Sequence, residues 1–449
     1  MLSAFLSAFK TPDLRKKLLF TLGIIAVYRL GATMPSPGVS YTNVQACIKQ
    51  LQGAEDLNGV FTLLNLFSGG ALLQLSVFAL GIMPYITASI ILQLLTVVIP
   101  RLEQLRKEGQ SGQAKITQYT RYLTLGLAVL QSSAFVALAR SGQLFSNVCD
   151  ATPIIPDTKA LSPDRGIPLW LTMTVLVITM TAGTGVIMWL GELITDRGVG
   201  NGMSVLIFTS IAARLPTEGM QIKEAKGWGV FFLVLAIGVI VIAAVVFFEQ
   251  AQRRVPVQYA KRMIGRRMYG GTSTYIPLKV NQAGVIPVIF ASSLLYLPQL
   301  VMGFMDRNNP NAIYVFLDRY IVDPSSWINI TLYFLLIIFF TYFYVGITFN
   351  PTDVADNMKK YGGFVPGIRP GKPTAEYLDF ILSRITLPGS LYLGIIAILP
   401  NLFINLVGGN KQNFPFGGTA VLIIVGVGLE TVKQIESQLM QRNYEGFLR

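Results

Sequence analysis

Long apolar runs, each the length of a membrane-spanning helix, recur along this chain. The clearest is residues 228–248, WGVFFLVLAIGVIVIAAVVFF, which contain no ionisable side chain. A helix needs about 20 apolar residues to cross the hydrocarbon core of a bilayer. Because such runs recur through 449 residues of which only 13% are charged, the pattern predicts an all-α polytopic membrane protein.

Ten segments fit this description, and the fifth is shorter than the others. An even number of spans places both termini on the same side of the membrane. The predicted spans are residues 18–34, 75–97, 119–139, 168–190, 200–214, 228–248, 283–304, 327–349, 386–406 and 417–437.

The lysine and arginine residues indicate which side that is. If the N-terminus is inside, the inside segments carry 23 of the 36 Lys and Arg residues and the outside segments carry 9. Cytoplasmic segments are enriched in these residues. We therefore predict cytoplasmic termini, and we attribute most of the net charge of +13 to membrane orientation.

Several kinds of chemistry are absent from the sequence. There is no histidine, which excludes histidine acid–base catalysis and histidine metal sites. Cys47 and Cys149 are too few for a disulfide framework or a zinc site; we expect them to be inert, with a bridge on an oxidising face as the alternative. The stretch GIRPGKPT fails as a phosphate loop, because Pro366 and Pro373 replace its first glycine and its hydroxyl residue. We expect no cofactor and no enzymatic activity.

Residues 61–73, FTLLNLFSGGALL, are apolar but too short to cross the membrane. Irregular backbone at membrane depth is tolerated only inside protein or a watery cavity. We predict a half-helix with glycines at its hinge, lying in a central cavity as a stopper. In the next segment, Ile82, Ile86 and Ile90 form an aliphatic stripe, which suits either ordinary helix packing or a hydrophobic constriction that keeps out water and ions.

The segments outside the spans fall into two kinds. Leu2, Phe5, Leu6 and Phe9 lie at helical spacing within residues 1–17, which favours an amphipathic helix on the membrane surface over a mobile tail. The inside loops 249–280 and 350–385 are longer than connectors need to be. The first mixes seven cations with apolar residues, which suits a projecting hairpin that docks an anionic partner, although a solvated positive loop is the alternative.

Five long motifs carry a resemblance to a known family. They are FSGGALLQLSVFALGIMPYITASIILQLLTVV, KEGQSGQAKITQYTRY, WLGELITDRGVGNGMSVLIF, PLKVNQAGVIPVIFASS and FNPTDVADNMKKYGGFVPGIRPG. In this order, and spread over almost the whole chain, they resemble the SecY family of bacterial Sec protein-conducting channels.

The resemblance implies an architecture. It implies two five-helix halves in inverted pseudo-symmetry, residues 18–214 and 215–437, between the cytosolic segments 1–17 and 438–449. It implies an hourglass pore between the halves, a re-entrant plug at residues 61–73, and a lateral gate to lipid between spans two and three and spans seven and eight.

The resemblance also implies roles for individual residues. A pore ring, a plug, a pair of gate residues hydrogen-bonded to each other, and docking arginines for a ribosome or a motor are expected. Met203 departs from the branched aliphatic residue that is common at its ring position, so the seal is expected to be softer. The implied residues are Ile82, Ile86, Met203, Ile207, Ile289 and Ile423 for the ring; Phe61, Leu64, Phe67, Gly69, Gly70 and Leu73 for the plug; Gln93 and Asn281 for the gate; and Arg253, Arg254 and Arg369 for docking.

The function implied is passive transport of unfolded, signal-bearing polypeptides across the bacterial plasma membrane, with lateral release of apolar segments into lipid. The implied partners are SecE and SecG-type small subunits, the SecA motor, the ribosome, signal peptides and nascent chains. The alternative is an inverted-repeat secondary transporter of a small solute. Ionisable residues within the spans are sparse, which counts against an ion-coupled carrier.

Overall fold

The structure of the chain is a computed structural model, and it is mostly helical. Each of the ten predicted spans overlaps a helix, and the mostly helical structure confirms the predicted class. The residues described are 11–52, 68–140, 155, 168–259, 262–264, 267–269, 273–303, 312–322, 326–407 and 418–447.

Among the described residues up to Arg214 there are seven helices. They are α1 (Pro12–Thr33), α2 (Tyr41–Gln52), α3 (Met83–Val98), α4 (Pro100–Lys107), α5 (Gln110–Arg140), α6 (Leu169–Arg197) and α7 (Gly202–Ala212).

The remainder combines helices with short strands. A π-helical turn at Leu317–Val322 follows α10. The elements are α8 (Leu215–Gln250), β1 (Gln252–Tyr259), β2 (Arg262–Ile264), β3 (Arg267–Tyr269), β4 (Ser273–Lys279), α9 (Ile286–Gly303), α10 (Ala312–Phe316), α11 (Trp327–Thr348), α12 (Pro351–Lys360), β5 (Gly363–Phe364), α13 (Lys372–Val407) and α14 (Gly418–Phe447).

Length and composition separate these helices into two groups. Among the described residues, six helical segments are long and apolar enough to cross a membrane, and α3 with α4 makes a seventh although the pair is bent by 101°. The helix α7 is shorter, as the sequence predicts for the fifth span. Gly227 has a φ of 82° within α8, so the membrane-length part of α8 begins there, next to the predicted start at residue 228.

The second span differs from its prediction. We expected helix from residue 75, but residues 68–82 form successive turns and helix starts only at Met83. Gly69, Gly70 and Gly81 have positive φ, as does Leu75 with 45°, and such backbone cannot continue an α-helix. The part of the predicted plug half-helix that lies in the described residues is therefore turn, not helix. We call residues 68–82 the turn segment.

The turn segment is fixed to the end of α1. The amide of Ser36 donates to the carbonyl of Leu75 at 3.1 Å, and the amide of Val77 donates to the carbonyl of Met34 at 3.0 Å. Phe78 stacks on Tyr28 with 5.9 Å between ring centroids. These contacts hold the turn segment against the end of α1.

The two long loops that the sequence predicts to be inside, residues 249–280 and 350–385, fold together as a small domain, which we call the platform. In it, β1 pairs antiparallel with β4 on one side and with β5 on the other, which confirms the predicted hairpin. The second loop holds α12 and β5, and α13 begins at Lys372, earlier than the predicted ninth span. The platform has its own core, formed by Val255, Val257, Leu278, Met358, Val365, Leu378 and Ile381.

The cysteines correct another prediction. We expected Cys47 and Cys149 to be inert, but Cys47 in α2 is disulfide-bonded. The only other cysteine of the sequence is Cys149, which lies outside the described residues. Both positions fall in segments that the charge distribution predicts to be outside, where disulfides persist.

Candidate functional site

The six predicted ring residues come together in one apolar cluster, which we call the ring cluster. Ile82, Ile207, Ile289 and Ile423 are buried in it, and Ile86 and Met203 are partly buried against it. They come from four segments of the chain: the start of α3, α7, α9 and α14. The cluster therefore joins the parts of the chain before and after Arg214 with apolar side chains.

Local backbone explains how two of these residues reach the cluster. Ile82 caps α3, and its carbonyl accepts from the amide of Ile86 at 3.2 Å, so both side chains lie on the same first turn. Asn201 caps α7 by accepting from the amide of Met203 at 3.2 Å, which is the usual role of asparagine at a helix start.

Met203 has a close neighbour that the sequence did not suggest. A Cβ atom added to Gly191 of α6 would lie 2.3 Å from the sulfur of Met203. The thioether therefore packs directly on the backbone of α6. Glycine at 191 makes the room that a long, flexible side chain at 203 needs.

The predicted plug residues fall partly outside the described residues, namely Phe61, Leu64 and Phe67. Gly69 and Gly70 lie in the turn segment with φ of 67° and 91°. Leu73 packs against a second apolar cluster, which includes Leu72, Phe135 and Met180. The end of the predicted plug therefore has fixed contacts with the protein.

The two predicted gate residues have different surroundings. Gln93 in α3 is exposed, whereas Asn281 is 4% exposed. The amide nitrogen of Asn281 donates to the carboxylate of Glu249 at 2.5 Å. The expected hydrogen bond between the gate residues is therefore replaced by one inside the later part of the chain, because Glu249 ends α8 next to the loop that carries Asn281.

The helices on the two sides of the predicted gate are nevertheless in contact. The helix α9 packs against both α3 and α5. Phe290 of α9 stacks on Phe340 of α11, with 5.1 Å between ring centroids. The helices on the two sides of the predicted gate therefore lie side by side, and the aromatic pair joins the two helices of the later side.

The predicted docking arginines lie on the platform. Arg253 and Arg254 are exposed on β1, and the Arg254 guanidinium lies 4.8 Å from the centre of the Tyr275 ring of the paired strand. Such cation–π contacts hold a guanidinium in place while its edge stays in water.

Arg369 is exposed in a tight turn, as predicted. Gly367 and Gly371 have φ of 82° and 107° on either side of it. The hydroxyl of Thr374 donates to the Arg369 carbonyl at 2.8 Å. The backbone under this side chain is therefore well defined, which favours a fixed presentation of the guanidinium.

Sequence reasoning missed one pair of charged residues. Arg121 of α5 binds Glu192 of α6 with two hydrogen bonds, both 2.8 Å long. The signal was present, since Glu192 is an acidic residue near a span end and such residues usually have partners. The pair fixes α5, one helix of the predicted gate, to α6.

A second charged pair lies on α4, beyond the second predicted span, which ends at residue 97. The ammonium of Lys107 is 2.7 Å from the carboxylate of Glu103, one turn away. The hydrogen bond and the charge of Lys107 lower the pKa of Glu103, and Glu103 raises the pKa of Lys107 in return. Both side chains are exposed, so the pair contributes little to stability.

Comparison with known proteins identifies the family. The SecY family model matches residues 76–432. The protein translocase subunit SecY of Streptomyces scabiei is 65% identical over 453 aligned positions, covering 100% of both chains.

Two solved structures share the fold. One describes how the plug domain of the SecY protein stabilises the closed state of the translocation channel and maintains a membrane seal; it is 19% identical, with a TM-score of 0.58 over 94% of this chain and 91% of that one. The other is Sec61 in the canine ribosome–channel complex from the endoplasmic reticulum, which is 18% identical, with a TM-score of 0.59 over 94% and 91%. The chain is a multi-pass membrane protein that belongs to the SecY family.

Proposed function

We propose that this chain is the pore-forming subunit of a protein translocase in the bacterial plasma membrane, with both termini in the cytoplasm. It acts as a passive, gated channel for unfolded polypeptides and makes or breaks no bond itself. The observation that carries the proposal is the ring cluster, in which six apolar residues from four segments of the chain converge. Family membership favours this function over a secondary transporter.

The ring seals the pore because its side chains cannot hydrogen-bond water. A narrow apolar constriction empties of water and so resists ion flow. The same side chains make no directional contacts, so they can separate and close around an extended polypeptide. Met203 adds a flexible member to the ring.

At rest, the plug, residues 61–73, blocks the pore on the outer side of the ring. Two observations support this role. The turn segment leads from the plug to Ile82 of the ring, so the predicted plug and the ring adjoin along the chain. In the SecY structure with a similar fold, the plug domain is described as stabilising the closed state.

The gate runs between α9 on one side and α3 and α5 on the other. A signal segment enters here and replaces packed side chains with its own. Apolar segments then leave sideways into lipid, since each CH₂ that leaves water gains about 0.8 kcal/mol. Gln93 and Asn281 provide the polar groups along this line.

The platform is the docking face for the SecA motor and the ribosome. Its exposed Arg253, Arg254 and Arg369 suit acidic protein surfaces or RNA phosphates. The similar fold of Sec61 in a ribosome–channel complex supports the ribosome as a partner. SecE and SecG-type subunits complete the complex.

The path of the substrate tests the proposal directly. We expect a stalled nascent chain to crosslink to photoreactive residues placed at Ile82 and Ile289, but not to one placed at Ile178, which is 62% exposed on α6 and faces lipid in the proposed arrangement. Crosslinks only at Ile178, or uptake of a small solute without polypeptide movement, would overturn the channel.

Docking is tested by charge reversal at Arg369. We expect Arg369→Glu to lower SecA-driven transport by about tenfold, the effect of roughly 1.4 kcal/mol, while the protein still assembles in the membrane. Lys372→Glu is the matched control, because Lys372 is an exposed cation three residues away. Equal losses in both variants would mean that overall charge, not a fitted guanidinium, is what matters.

A further inference from the structure

Arg29 is a charged residue within the first span for which the proposed function gives no role. It lies one turn before the outer end of α1 and is partly buried. Placing a guanidinium in a span is costly, and such residues generally face a partner inside the protein. Its contacts therefore indicate what it does.

The partner of Arg29 is the backbone at the base of the plug. The Nη1 atom of Arg29 donates to the carbonyl of Gly69 at 3.3 Å. A Cβ atom on Gly69 would lie 3.1 Å from that Nη1 and 3.2 Å from Cβ of Ser210. Only glycine combines this close approach with a φ of 67°.

A second guanidinium lies at the neighbouring glycine. A Cβ atom on Gly70 would lie 3.2 Å from Nη1 of Arg214. Arg214 follows the last turn of α7, whose Ile207 belongs to the ring cluster. The glycine pair therefore lies between arginines from α1 and from the end of α7.

The contacts of Arg29 and Arg214 hold the first residues of the turn segment, which also belong to the predicted plug. The backbone bonds to Ser36 and Met34 involve Leu75 and Val77, several residues further along. Ser68 is buried, and it accepts from the amides of Ala71 and Leu72 across the glycine pair. The two arginines therefore act where the described turn segment adjoins the rest of the predicted plug.

We propose that Arg29 and Arg214 retain the plug by gripping the Gly69–Gly70 turn, and so set how readily the channel opens. This rests on the proposed function of residues 61–73 as a stopper. A guanidinium suits the task because it stays charged and offers five donors in a fixed plane. When the plug leaves the pore, water on the outer side of the ring hydrates the two guanidinium groups and the glycine backbone, so these contacts can break and form again.

The ion conductance of the complete channel complex at rest, recorded in planar bilayers, tests whether the two arginines retain the plug. We expect the double variant Arg29→Ala, Arg214→Ala to raise it by about tenfold, since a hydrogen bond to a charged group shifts an equilibrium by roughly that factor. Arg29→Lys keeps the charge but loses the planar fork, so it should raise conductance by less than Arg29→Ala does. Transport of a precursor with an intact signal should stay normal, which shows that the variants fold.

Arg140→Ala is the matched control. It removes an exposed arginine at the outer end of α5, where Arg140 contacts Met173. Wild-type conductance in the double variant, an equal rise in Arg140→Ala, or a rise that appears only with loss of transport would each overturn the retention of the plug by arginines.

A double-mutant test of Arg29 and Gly69 distinguishes retention of the plug through this contact from a general structural role of Arg29. Gly69→Ala alone should also raise conductance. If Arg29 acts through Gly69, the combined Arg29→Ala, Gly69→Ala variant should conduct less than the product of the two single factors predicts. A full product would mean that the two residues act independently and would overturn the inference.

Deletion of residues 61–73 separates this inference from the proposed function. If the deletion raises conductance and the double arginine variant does not, the stopper stands and the grip is wrong. If the deletion itself leaves conductance at the wild-type value, the stopper assignment is wrong, and the grip is overturned with it.

Discussion

The side chains that join the two predicted halves of the chain differ in kind from the polar contacts within each half. Between the halves, Ile82 meets Ile289 and Ile423 in the ring cluster, and Leu18 packs with Ile435 nearer the N-terminus. Within the first half, Arg121 binds Glu192 and Arg29 binds Gly69. Within the second, Asn281 binds Glu249.

The difference shows how a membrane protein can open without unfolding. Apolar contacts are non-directional, so two surfaces that separate can close again on another apolar surface such as a signal segment. Hydrogen bonds and ion pairs require fixed geometry and keep each half rigid. Changes to the ring should therefore alter opening, whereas changes to the Arg121–Glu192 and Asn281–Glu249 contacts should alter the stability of one half.

A polar residue in the ring should have the largest effect on opening. We expect Ile82→Asn to raise resting conductance about tenfold or more, because an amide without a partner in an apolar site costs roughly 2 kcal/mol or more and draws water to it. Planar-bilayer recording measures this. The control is Ile178→Asn on α6, which should leave conductance unchanged, and equal leaks in both would break the distinction between ring and periphery.

The contact between Asn281 and Glu249 tests the role of polar contacts within the second half. We expect Glu249→Ala to lower the melting temperature of the purified complex by about 2 °C or more, since the buried amide of Asn281 loses its acceptor. Glu249→Gln keeps an acceptor oxygen and should lower it less. Resting conductance should stay near wild type, and a large leak would show that this contact also holds the halves together.

The Arg121–Glu192 pair should contribute less. A double-mutant cycle with Arg121→Ala and Glu192→Ala, read by thermal unfolding, should give a coupling of about 1 kcal/mol or less. Water screens the pair, because the Arg121 side chain is 48% exposed and that of Glu192 is 22% exposed. A coupling well above this value would make the pair a main support of the gate.

The disulfide of Cys47 should affect opening least. Both cysteines of the sequence belong to the first half, so reduction should leave resting conductance unchanged while lowering thermal stability. Thiol labelling of denatured protein should give no product before reduction and one labelled cysteine in Cys47→Ser. Labelling of the unreduced wild type would contradict the bond.

The class of protein and the approximate positions of its apolar helices could be predicted from the sequence. Residues 228–248 have to be a buried or lipid-facing helix whatever surrounds them, because no water is available to hydrate their backbone in a bilayer. The hairpin of loop 249–280 was also predictable, from its mixture of cations and apolar residues. The family could be identified because five long motifs occur in order.

The exact start of a helix was less predictable. Apolar composition extends back through residues 75–82, yet those residues are turns. Their conformation follows from the positive φ at Gly81 and Leu75 and from hydrogen bonds to Ser36 and Met34, contacts with residues about 40 positions away. Hydropathy does not carry that information.

The candidate site divides in the same way. The membrane-spanning character, the apolar nature of the ring residues and the cationic platform follow from residue type alone, because they depend on the energy of transfer from water. Which residues meet depends on the packed helices: Asn281 contacts Glu249 and not Gln93, Arg121 contacts Glu192, and Arg29 contacts the backbone of Gly69. Hydrogen-bond partners are set by distance and direction between side chains far apart in the chain, and those are fixed only when the helices pack.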